Sequence, residues 1–301
     1  MSSAPEGVSP NHPLARLTTV RTGGAADWLA RPSTQEELVE MLRWAAEEAL
    51  AVGLIGSGSN LLVADDGFHG LAIKLDGDLA TIERDGECVV CGGAARLPSA
   101  AAKAAGWGLS GLEFGINIPG SAGGAVRMNA NAYGGQLARV LDWVEISTAA
   151  GSERRAPDQL GFSYRRSNLR PGEVVSRASF RLHPGDPAEI RATLAAMRER
   201  RRDAQPSGIK TFGSTFKNPE GEHRSAGQLL DASGCRGLRY GGARFSEKHA
   251  NFVENIGEAT SADVLELMAA GRRRVHERFG IALEPEVQVL GEVRWPDDWE
   301  L

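Results

Sequence analysis

Three short stretches of the chain place polar groups where they could do chemistry. Residues 161–168, GFSYRRSN, put a tyrosine beside two arginines, and residues 212–221, FGSTFKNPEG, put a serine next to a lysine and an asparagine. Taken alone, the first could be a surface ion pair and the second a turn. The third stretch, residues 56–60, reads Gly-Ser-Gly-Ser-Asn and combines tolerance of unusual backbone angles with amide and hydroxyl donors. Such a turn can wrap an anion with its backbone N–H groups.

The turn at residues 56–60 follows a short apolar run, residues 51–55, that is suited to a buried strand, and it precedes a second short strand at residues 62–64. It matches neither common glycine-rich phosphate signature. A nucleotide-triphosphate loop ends in Gly-Lys-Ser/Thr, and the dinucleotide fingerprint needs a third glycine where this chain has Leu61. The residues alone therefore leave two alternatives open, an anion-binding turn and a glycine turn without a ligand.

A glycine-rich stretch, residues 111–135, contains seven glycines around a short helical piece. Glycine lets the backbone approach a ligand closely, so this composition suits contact with a flat or phosphate-bearing molecule. The alternative is glycine-rich packing without a ligand.

Composition limits the function classes. The 301 residues include 42% hydrophobic residues and 37 glycines, and the net charge is −5. The chain can bury a sizeable core and has room for two domains, while its acidic balance argues against general nucleic-acid binding. Three scattered cysteines and no amino-terminal basic-plus-apolar segment predict a reducing cytoplasm. No apolar run approaches the length of a membrane-spanning helix.

Two patterns that could suggest other functions have simpler explanations. Cys88 and Cys91 have a spacing that zinc sites use, but they lie in a strand-like segment without a second Cys or His pair, so we predict no metal site. The basic run RERRR, residues 198–202, ends a helical pattern over residues 188–202, which favours a solvated helix terminus over a nucleic-acid surface.

Periodicity and capping signals predict alternating helices and strands in both halves of the chain. A capping box at residues 33–36 opens a helix whose apolar face carries Leu38, Met41, Leu42, Ala45 and Ala49. The composition of residues 203–208, DAQPSG, indicates a boundary, and loose ends are expected at residues 1–10 and 294–301. Further strands are predicted at 71–75, 79–84, 87–91, 140–148, 174–182 and 286–290, and further helices at 100–105, 226–232 and 262–279, the last ended by Gly280.

In this order, the motifs resemble the UDP-N-acetylenolpyruvoylglucosamine reductase family, also called the MurB family. The resemblance runs from Leu17 to Gly291. Its most specific pieces are GSGSNLLV, GLEF…IPGSAGGAVRMNA…AYG, YRRS, GSTFKNP, SEKHANFVEN and LEPEVQVLG. In its length and its lack of an inserted tyrosine-bearing loop, the chain resembles the shorter subclass of the family.

The resemblance implies an α+β fold. An FAD-binding domain of the vanillyl-alcohol-oxidase type is expected at residues 13–203, with two subdomains split near residues 65–70, and a smaller α+β substrate-binding domain at residues 204–301. FAD is expected to bind noncovalently, with its pyrophosphate on the turn at residues 56–60. The implied cofactor-binding residues are Gly56, Ser57, Gly58, Ser59, Asn60, Leu61, Gly115, Pro119, Gly120, Ser121, Gly123 and Gly124.

The resemblance also implies the reaction. The family uses NADPH as cosubstrate and FAD as hydride carrier to reduce UDP-N-acetylglucosamine enolpyruvate to UDP-N-acetylmuramate, a step of peptidoglycan precursor synthesis. The expected partners are therefore these small molecules, with no nucleic acid and no membrane, and the expected form is a cytoplasmic monomer.

Residue roles follow by matching motifs. Arg165 would stabilise the enolate-like charge beside the substrate carboxylate, because a fixed cation acts most where charge develops. Glu286 would assist from the side opposite Arg165, and Ser214 would donate the proton to the substrate carbon. The implied substrate-binding residues are Tyr164, Lys217 and Asn218, and no metal is expected.

Two further expectations concern His249 and two asparagines. His249 is interpreted as a hydrogen-bonded structural histidine. Asn117 and Asn131 stand where the family usually has glycine, and because asparagine tolerates positive φ, the turns are expected to be kept.

Two other classes of protein stay open: a flavin oxidase on the same fold, using molecular oxygen and often a covalent flavin, and a nonenzymatic nucleotide-sugar binder.

Overall fold

The computed structural model of the chain describes residues 3–297 and 299. Sequence predictions that fall on residues 1, 2, 298, 300 and 301 lie outside these described residues. The helices are α1 (Gln35–Glu47), α2 (Leu97–Gly106), α3 (Ala122–Arg127), α4 (Pro187–Ala204), α5 (Ala226–Ala232) and α6 (Ser261–Phe279). The strands are β1 (Val8–Pro13), β2 (Ala25–Ala30), β3 (Val52–Leu54), β4 (Leu61–Val63), β5 (Phe68–Ile73), β6 (Ile82–Asp85), β7 (Cys88–Gly92), β8 (Leu109–Ser110), β9 (Asn131–Ala132), β10 (Gly135–Gln136), β11 (Leu141–Thr148), β12 (Gly151–Arg155), β13 (Val174–Arg181), β14 (His183–Pro184), β15 (Arg239–Tyr240), β16 (Ala243–Phe245), β17 (Val253–Asn255) and β18 (Gln288–Leu290).

The chain divides into two compact units, each made of several chain segments. The first unit comprises residues 1–11, 27–57 and 69–201. The second comprises residues 12–26, 58–68 and 202–301. The second unit therefore contains two short segments from the first quarter of the chain as well as its last third.

In the first unit, a five-stranded antiparallel sheet has the order β12-β11-β13-β7-β6. Its central strand β13 is buried at Ala178 and Phe180 and packs in one core with residues of α2 and α3. Cys88 and Cys91 lie on β7, as the strand prediction required. Among the described residues, no group of three His, Cys, Asp or Glu side chains could hold a metal ion.

A second core of the first unit lies beneath α1, beside the sheet of order β1-β2-β5-β3. Thr34 caps α1 by accepting a hydrogen bond from the backbone N–H of Glu37. The capping box predicted at residues 33–36 was therefore wrong: the cap is Thr34, and the Glu37 carboxylate accepts from Ser33 N, the residue before the cap, instead of from Thr34 N. Ala49 was also wrongly assigned to the helix: it follows the end of α1 with φ +53°.

In the second unit, α5 and α6 share one core with the sheet β15-β16-β17. Strand β18 pairs in parallel with β4, with Gln288 opposite Leu61. The carboxylate of Asp65 accepts hydrogen bonds from the first two backbone N–H groups of α6, those of Ser261 and Ala262. Helix α6 ends at Gly280 in the left-handed conformation, as predicted.

Three predicted strands have different bounds in the structure. Residues 77–80 form a 3-10 turn, so the strand predicted at 79–84 begins at Ile82. The strand predicted at 71–75 ends at Ile73, and the final strand begins at Gln288 instead of residue 286. Within the described chain, no helix is long and apolar enough to cross a membrane.

Candidate active site

The turn at residues 56–60 presents a run of backbone donors. Across the described chain, none of the N–H groups of residues 56–60 has a hydrogen-bond acceptor within the protein. The carbonyl groups on the same turn are used instead, since Gly56 O accepts from Lys74 Nζ at 2.7 Å and Gly58 O accepts from Thr19 N at 3.0 Å. Backbone N–H groups are seldom left without an acceptor, so consecutive donors at one turn fit an anionic group such as a pyrophosphate.

Gly58 fixes the shape of this turn. Its φ is +66°, and a Cβ atom there would lie 2.1 Å from the carbonyl oxygen of Leu17. Any other residue would meet both the left-handed strain and a backbone clash. The turn therefore depends on glycine at this position for two separate reasons.

Lys74 contacts this turn, and the sequence did not predict that contact. Burial lowers the pKa of Lys74 from its ordinary 10.5, and nearby Arg31 lowers it further, while Asp76 opposes the shift. Its ammonium group reaches Gly56 from the end of β5, eighteen positions along the chain. No spacing rule connects these two positions, so sequence reasoning had no signal for the contact.

In the glycine-rich stretch, several backbone donors are already bonded. The N–H of Gly123 donates to Gly93 O at 2.9 Å, and the N–H of Gly124 donates to the Ser121 hydroxyl at 3.3 Å. The N–H of Gly120 donates to Ile118 O at 2.7 Å. A ligand on this stretch would therefore contact other atoms than these three N–H groups.

The two asparagines that were expected to stand in place of family glycines do not adopt positive φ. Asn117 ends a 3-10 turn and Asn131 lies on β9, and the positive φ values fall on the nearby Asn129 and Tyr133 instead. The prediction that asparagine keeps these turns by adopting a left-handed backbone was therefore wrong. The side chain of Asn117 instead donates to the Tyr133 hydroxyl at 3.0 Å and to Met197 O at 2.7 Å, so it joins two parts of the first unit.

Tyr164 and Arg165 form the tip of a two-residue hairpin. Ser163 and Arg166 exchange both backbone hydrogen bonds, at 3.1 and 3.2 Å. Arg165 has φ +56°, a conformation that costs a non-glycine residue about 1–2 kcal/mol. Its guanidinium donates to Asn131 O at 3.2 Å and lies 5.3 Å from the Tyr164 ring. Such strain at a charged residue is typical of functional positions.

A groove of about 370 Å³ borders this hairpin within the first unit. It is lined by residues 131–136 together with Arg139, Ser163 and Tyr164. The lining combines two aromatic side chains with amide and guanidinium groups. A small polar ligand could contact two aromatic rings and several hydrogen-bond donors there.

In the second unit, Ser214 lies on an extended segment that is bonded on both sides. Ser214 forms an antiparallel bridge with Phe252, and the next residue, Thr215, donates its N–H to Asn251 O at 2.8 Å. On the other side, the N–H of Glu286 donates to Thr215 O at 2.8 Å. Among the residues that the structure describes, the Ser214 hydroxyl has no hydrogen-bond acceptor or donor, which leaves it available to a ligand.

Asn60 connects the predicted cofactor turn with the Glu286 backbone. Its side-chain Nδ2 donates to Glu286 O at 3.0 Å, and its own carbonyl accepts from Gln288 N at 3.1 Å. The side-chain amide of Asn60 therefore forms its hydrogen bond within the protein. A cofactor could still use its backbone N–H.

Lys217 and Asn218 also have partners within the second unit. Lys217 Nζ lies 3.2 Å from the exposed Glu284 carboxylate, and Asn218 Oδ1 accepts from Ala226 N at 3.0 Å, at the start of α5. An exposed pair of this kind contributes little to stability. Lys217 can therefore exchange Glu284 for an anionic ligand at small cost.

His249 has the contacts of a structural histidine. Its Nδ1 faces Asn251 N at 3.2 Å and its ring packs against Phe252. Burial lowers the pKa of His249 from 6.5, and the charge of Arg236 lowers it further. The neutral ring, with Nδ1 as acceptor, is the form that this geometry requires.

Comparison with known proteins identifies the family. A family model described as FAD binding domain matches residues 26–156, and one described as UDP-N-acetylenolpyruvoylglucosamine reductase, C-terminal domain, matches residues 205–290. A relative from Rubrobacter xylanophilus, named UDP-N-acetylenolpyruvoylglucosamine reductase, is 44% identical over 94% of this chain and 95% of its own length. The chain belongs to the UDP-N-acetylenolpyruvoylglucosamine reductase family.

Other members of the UDP-N-acetylenolpyruvoylglucosamine reductase family support this membership. UDP-N-acetylenolpyruvoylglucosamine reductase 2 from Symbiobacterium thermophilum is 44% identical over 94% of this chain and 92% of its own length. The crystal structure of the reductase (MurB) from Thermus caldophilus superposes with a TM-score of 0.81 at 39% identity, covering 94% of this chain and 97% of that one. The predicted family, the α+β fold with its FAD-binding domain, and the class of FAD-dependent reductase are confirmed.

Proposed function

We propose that this chain reduces the enolpyruvyl group of UDP-N-acetylglucosamine enolpyruvate to give UDP-N-acetylmuramate, with NADPH as hydride donor. One observation carries the proposal beyond family membership. Ser214 and Glu286, the expected proton donor and its assisting carboxylate, lie on segments joined directly through the Thr215 carbonyl. A protein that only binds a nucleotide sugar has no need of Ser214 and Glu286 together.

The turn at residues 56–60 would hold FAD through its pyrophosphate. Its backbone donors have no protein acceptor in the described chain, and no dinucleotide fingerprint is required for this mode of binding. When bound, FAD supplies hydride transfer from NADPH to the enolpyruvyl methylene carbon. The remaining cofactor contacts are proposed at Leu61, Gly115, Pro119, Gly120, Ser121, Gly123 and Gly124, through atoms other than the N–H groups already bonded.

Arg165 would hold the substrate carboxylate. When a hydride reaches the methylene carbon, negative charge develops on the adjacent carbon and its carboxylate. A guanidinium fixed by a rigid hairpin stabilises that charge without reorganising, which is where electrostatic catalysis is most effective. Tyr164 would form a wall of the substrate site, and Lys217 and Asn218 would contact the UDP-sugar.

Ser214 would then donate its hydroxyl proton to the carbon that carries the negative charge. A serine hydroxyl is a weak acid, so it can serve only when it is held close to a strongly basic carbon. The bonds on both sides of its segment supply that restraint. Glu286 would orient the carboxyl end of the enolate-like species from the adjoining segment.

An anaerobic experiment in two stages tests the reaction. Addition of NADPH, on the order of 1 equivalent per site, should abolish the visible flavin absorbance of the FAD-loaded protein. Addition of the enolpyruvyl sugar should then restore it and yield UDP-N-acetylmuramate. Restoration by oxygen but not by the sugar would indicate an oxidase, and no response to NADPH would indicate a nonenzymatic binder.

We also propose that the enzyme is a cytoplasmic monomer. Both substrates are small molecules, so no protein or nucleic-acid partner is required. Light scattering coupled to size exclusion measures the oligomeric state directly.

A further inference from the structure

We propose that Asn251 is a positioning residue for Ser214, an inference that rests on the proposed function of that serine. Asn251 is 4% exposed and lies in the second unit. Neither the sequence motifs nor the expected chemistry assigns it a role.

The side chain of Asn251 forms two hydrogen bonds with one residue, Phe216. Its Oδ1 accepts from Phe216 N at 2.9 Å, and its Nδ2 donates to Phe216 O at 2.8 Å. The amide group thereby reproduces what a neighbouring strand residue would offer, one acceptor and one donor to a single residue. Both bonds are buried, so the loss of either leaves a desolvated polar group without a partner.

The backbone of Asn251 adds to the same restraint. Its carbonyl accepts from Thr215 N at 2.8 Å, and its N–H donates to His249 Nδ1 at 3.2 Å. Residues 250 and 251 form a turn, so a regular strand ladder cannot continue past Phe252. The asparagine side chain therefore extends the pairing along Thr215 and Phe216 where backbone pairing stops.

The chain before Ser214 is held by the buried Phe212 and by one hydrogen bond, which the N–H of Gly213 donates to the Thr211 hydroxyl at 3.3 Å. Gly213 itself has φ +84°, a conformation that glycine adopts readily. On the Thr215–Phe216 side of Ser214, the bonds of Asn251 supply the restraint. Loss of the Asn251 bonds should loosen the serine without removing any atom that touches the substrate.

The principal variant is Asn251→Asp, which keeps the shape and the acceptor but replaces the donor to Phe216 O by an oxygen. Asn255→Asp is the matched control. Asn255 is a buried asparagine of the same unit, 8% exposed, whose Nδ2 donates to Val20 O at 2.9 Å and whose Oδ1 accepts from Gly257 N and Ala259 N at 3.2 Å. If Asn251→Asp does not fold, Asn251→Ser takes its place, with the same expectations for hydrogen exchange and for the double-mutant cycle.

The first readout does not depend on activity. Hydrogen exchange of the backbone amides at residues 215 and 216 should accelerate on the order of tenfold in Asn251→Asp, the factor expected from a lost buried hydrogen bond. Asn255→Asp should leave those two amides within twofold of the parent protein. Unchanged exchange at residues 215 and 216 in Asn251→Asp would overturn the proposal.

The second readout is a double-mutant cycle in the substrate half-reaction. Asn251→Asp should slow the recovery of flavin absorbance on adding the enolpyruvyl sugar by about tenfold or more, while the NADPH step stays within twofold. In the Ser214→Ala background, the same change should add less than twofold, because its effect acts through the serine. Equal slowing in both backgrounds would overturn the proposal.

A pH series completes the test. In Asn251→Asp, the introduced carboxyl group can again donate to Phe216 O once it is protonated. The rate of this variant relative to the parent protein should therefore rise as the pH is lowered through the pKa of that carboxyl group. A ratio that does not change with pH contradicts the proposal. If Ser214→Ala itself recovers at the parental rate, the proton-donor role fails, and this outcome is distinct from failure of the Asn251 inference.

Discussion

The backbone N–H of Glu286 donates a hydrogen bond of 2.8 Å to the carbonyl of Thr215, the residue that follows Ser214. The segments that carry the proposed proton donor and the proposed assisting carboxylate are therefore joined by one backbone hydrogen bond. A displacement of either segment should move both, whereas replacement of one side chain leaves the shared backbone bond in place.

Side-chain replacement at Ser214 should separate the two half-reactions. Ser214→Ala should lose flavin absorbance with NADPH at close to the parental rate, because that step needs no proton at the substrate carbon. Recovery with the enolpyruvyl sugar should slow by about a hundredfold to ten-thousandfold, the effect typical of a lost positioned acid. Stopped-flow absorbance measures each stage.

Ser214→Cys is the companion variant, since a thiol can also donate a proton. It should recover faster than Ser214→Ala. If Ser214→Ala recovers as fast as the parent protein, water or another residue is the proton donor.

Replacement of Arg165 tests the cation at the hairpin tip. Arg165→Lys keeps the charge but loses the planar fork that can grip a carboxylate through two bonds, so turnover should fall on the order of a hundredfold while FAD stays bound. Arg166→Lys, on the exposed neighbouring position, is the control and should retain parental turnover. Equal activity of the two variants would remove Arg165 from the mechanism.

Gly58 should control cofactor binding. Gly58→Ala brings a Cβ atom to 2.1 Å from Leu17 O and should abolish retention of FAD, as measured by the absorbance of protein purified with excess cofactor. Gly86→Ala is the control, because Gly86 also has positive φ, +60°, but open space around it. That variant should cost about 1–2 kcal/mol of unfolding free energy and keep its FAD.

The FAD released from the parent protein gives a further check. Acid precipitation should leave a colourless pellet and FAD in the supernatant, since the binding is expected to be noncovalent. Colour in the pellet, or FMN in the supernatant, would contradict this expectation.

His249 should give the stability of the protein a pH dependence. Its pKa is lowered in the folded state, by burial first and by Arg236 second, so the unfolded chain binds a proton at higher pH than the folded chain. The stabilisation is therefore complete above the unfolded pKa near 6.5 and decreases as the pH falls from there towards the folded pKa.

The variant His249→Asn keeps an acceptor for Asn251 N but does not titrate. Urea unfolding of both proteins from about pH 7.5 to about pH 5 should show a steeper loss of unfolding free energy in the parent. Parallel curves would show that His249 does not carry this dependence.

Local signals located part of the helices. The helix predicted at residues 226–232 coincides with α5, and Gly280 marked the end of α6, whereas α2 begins at Leu97, three residues before the predicted helix at 100–105. The bounds of strands were less accurate, because 3-10 turns such as residues 77–80 have no strong sequence signature of their own.

The assignment of the chain to the shorter subclass of the family stays a prediction.

Contacts between distant positions could not be predicted. Residue types identified the turn at residues 56–60, but nothing near Asn60 indicates that its side chain bonds to Glu286 instead of pointing to a ligand. The error at Asn117 has a related cause. Asn117 was interpreted through φ, as a substitute for glycine, whereas its side-chain amide in the structure joins Tyr133 and Met197.

The parallel pairing of β4 with β18 sets the order of events during synthesis on the ribosome. Asn60 and Glu286 are 226 residues apart in the chain. At about 5–20 residues per second, the segment around Leu61 waits roughly ten to fifty seconds for its partner. During that interval its strand edge has no parallel neighbour and can pair with other nascent chains. Premature termination just before residue 286 would therefore leave this early strand open to aggregation, even though the chain would lack few residues.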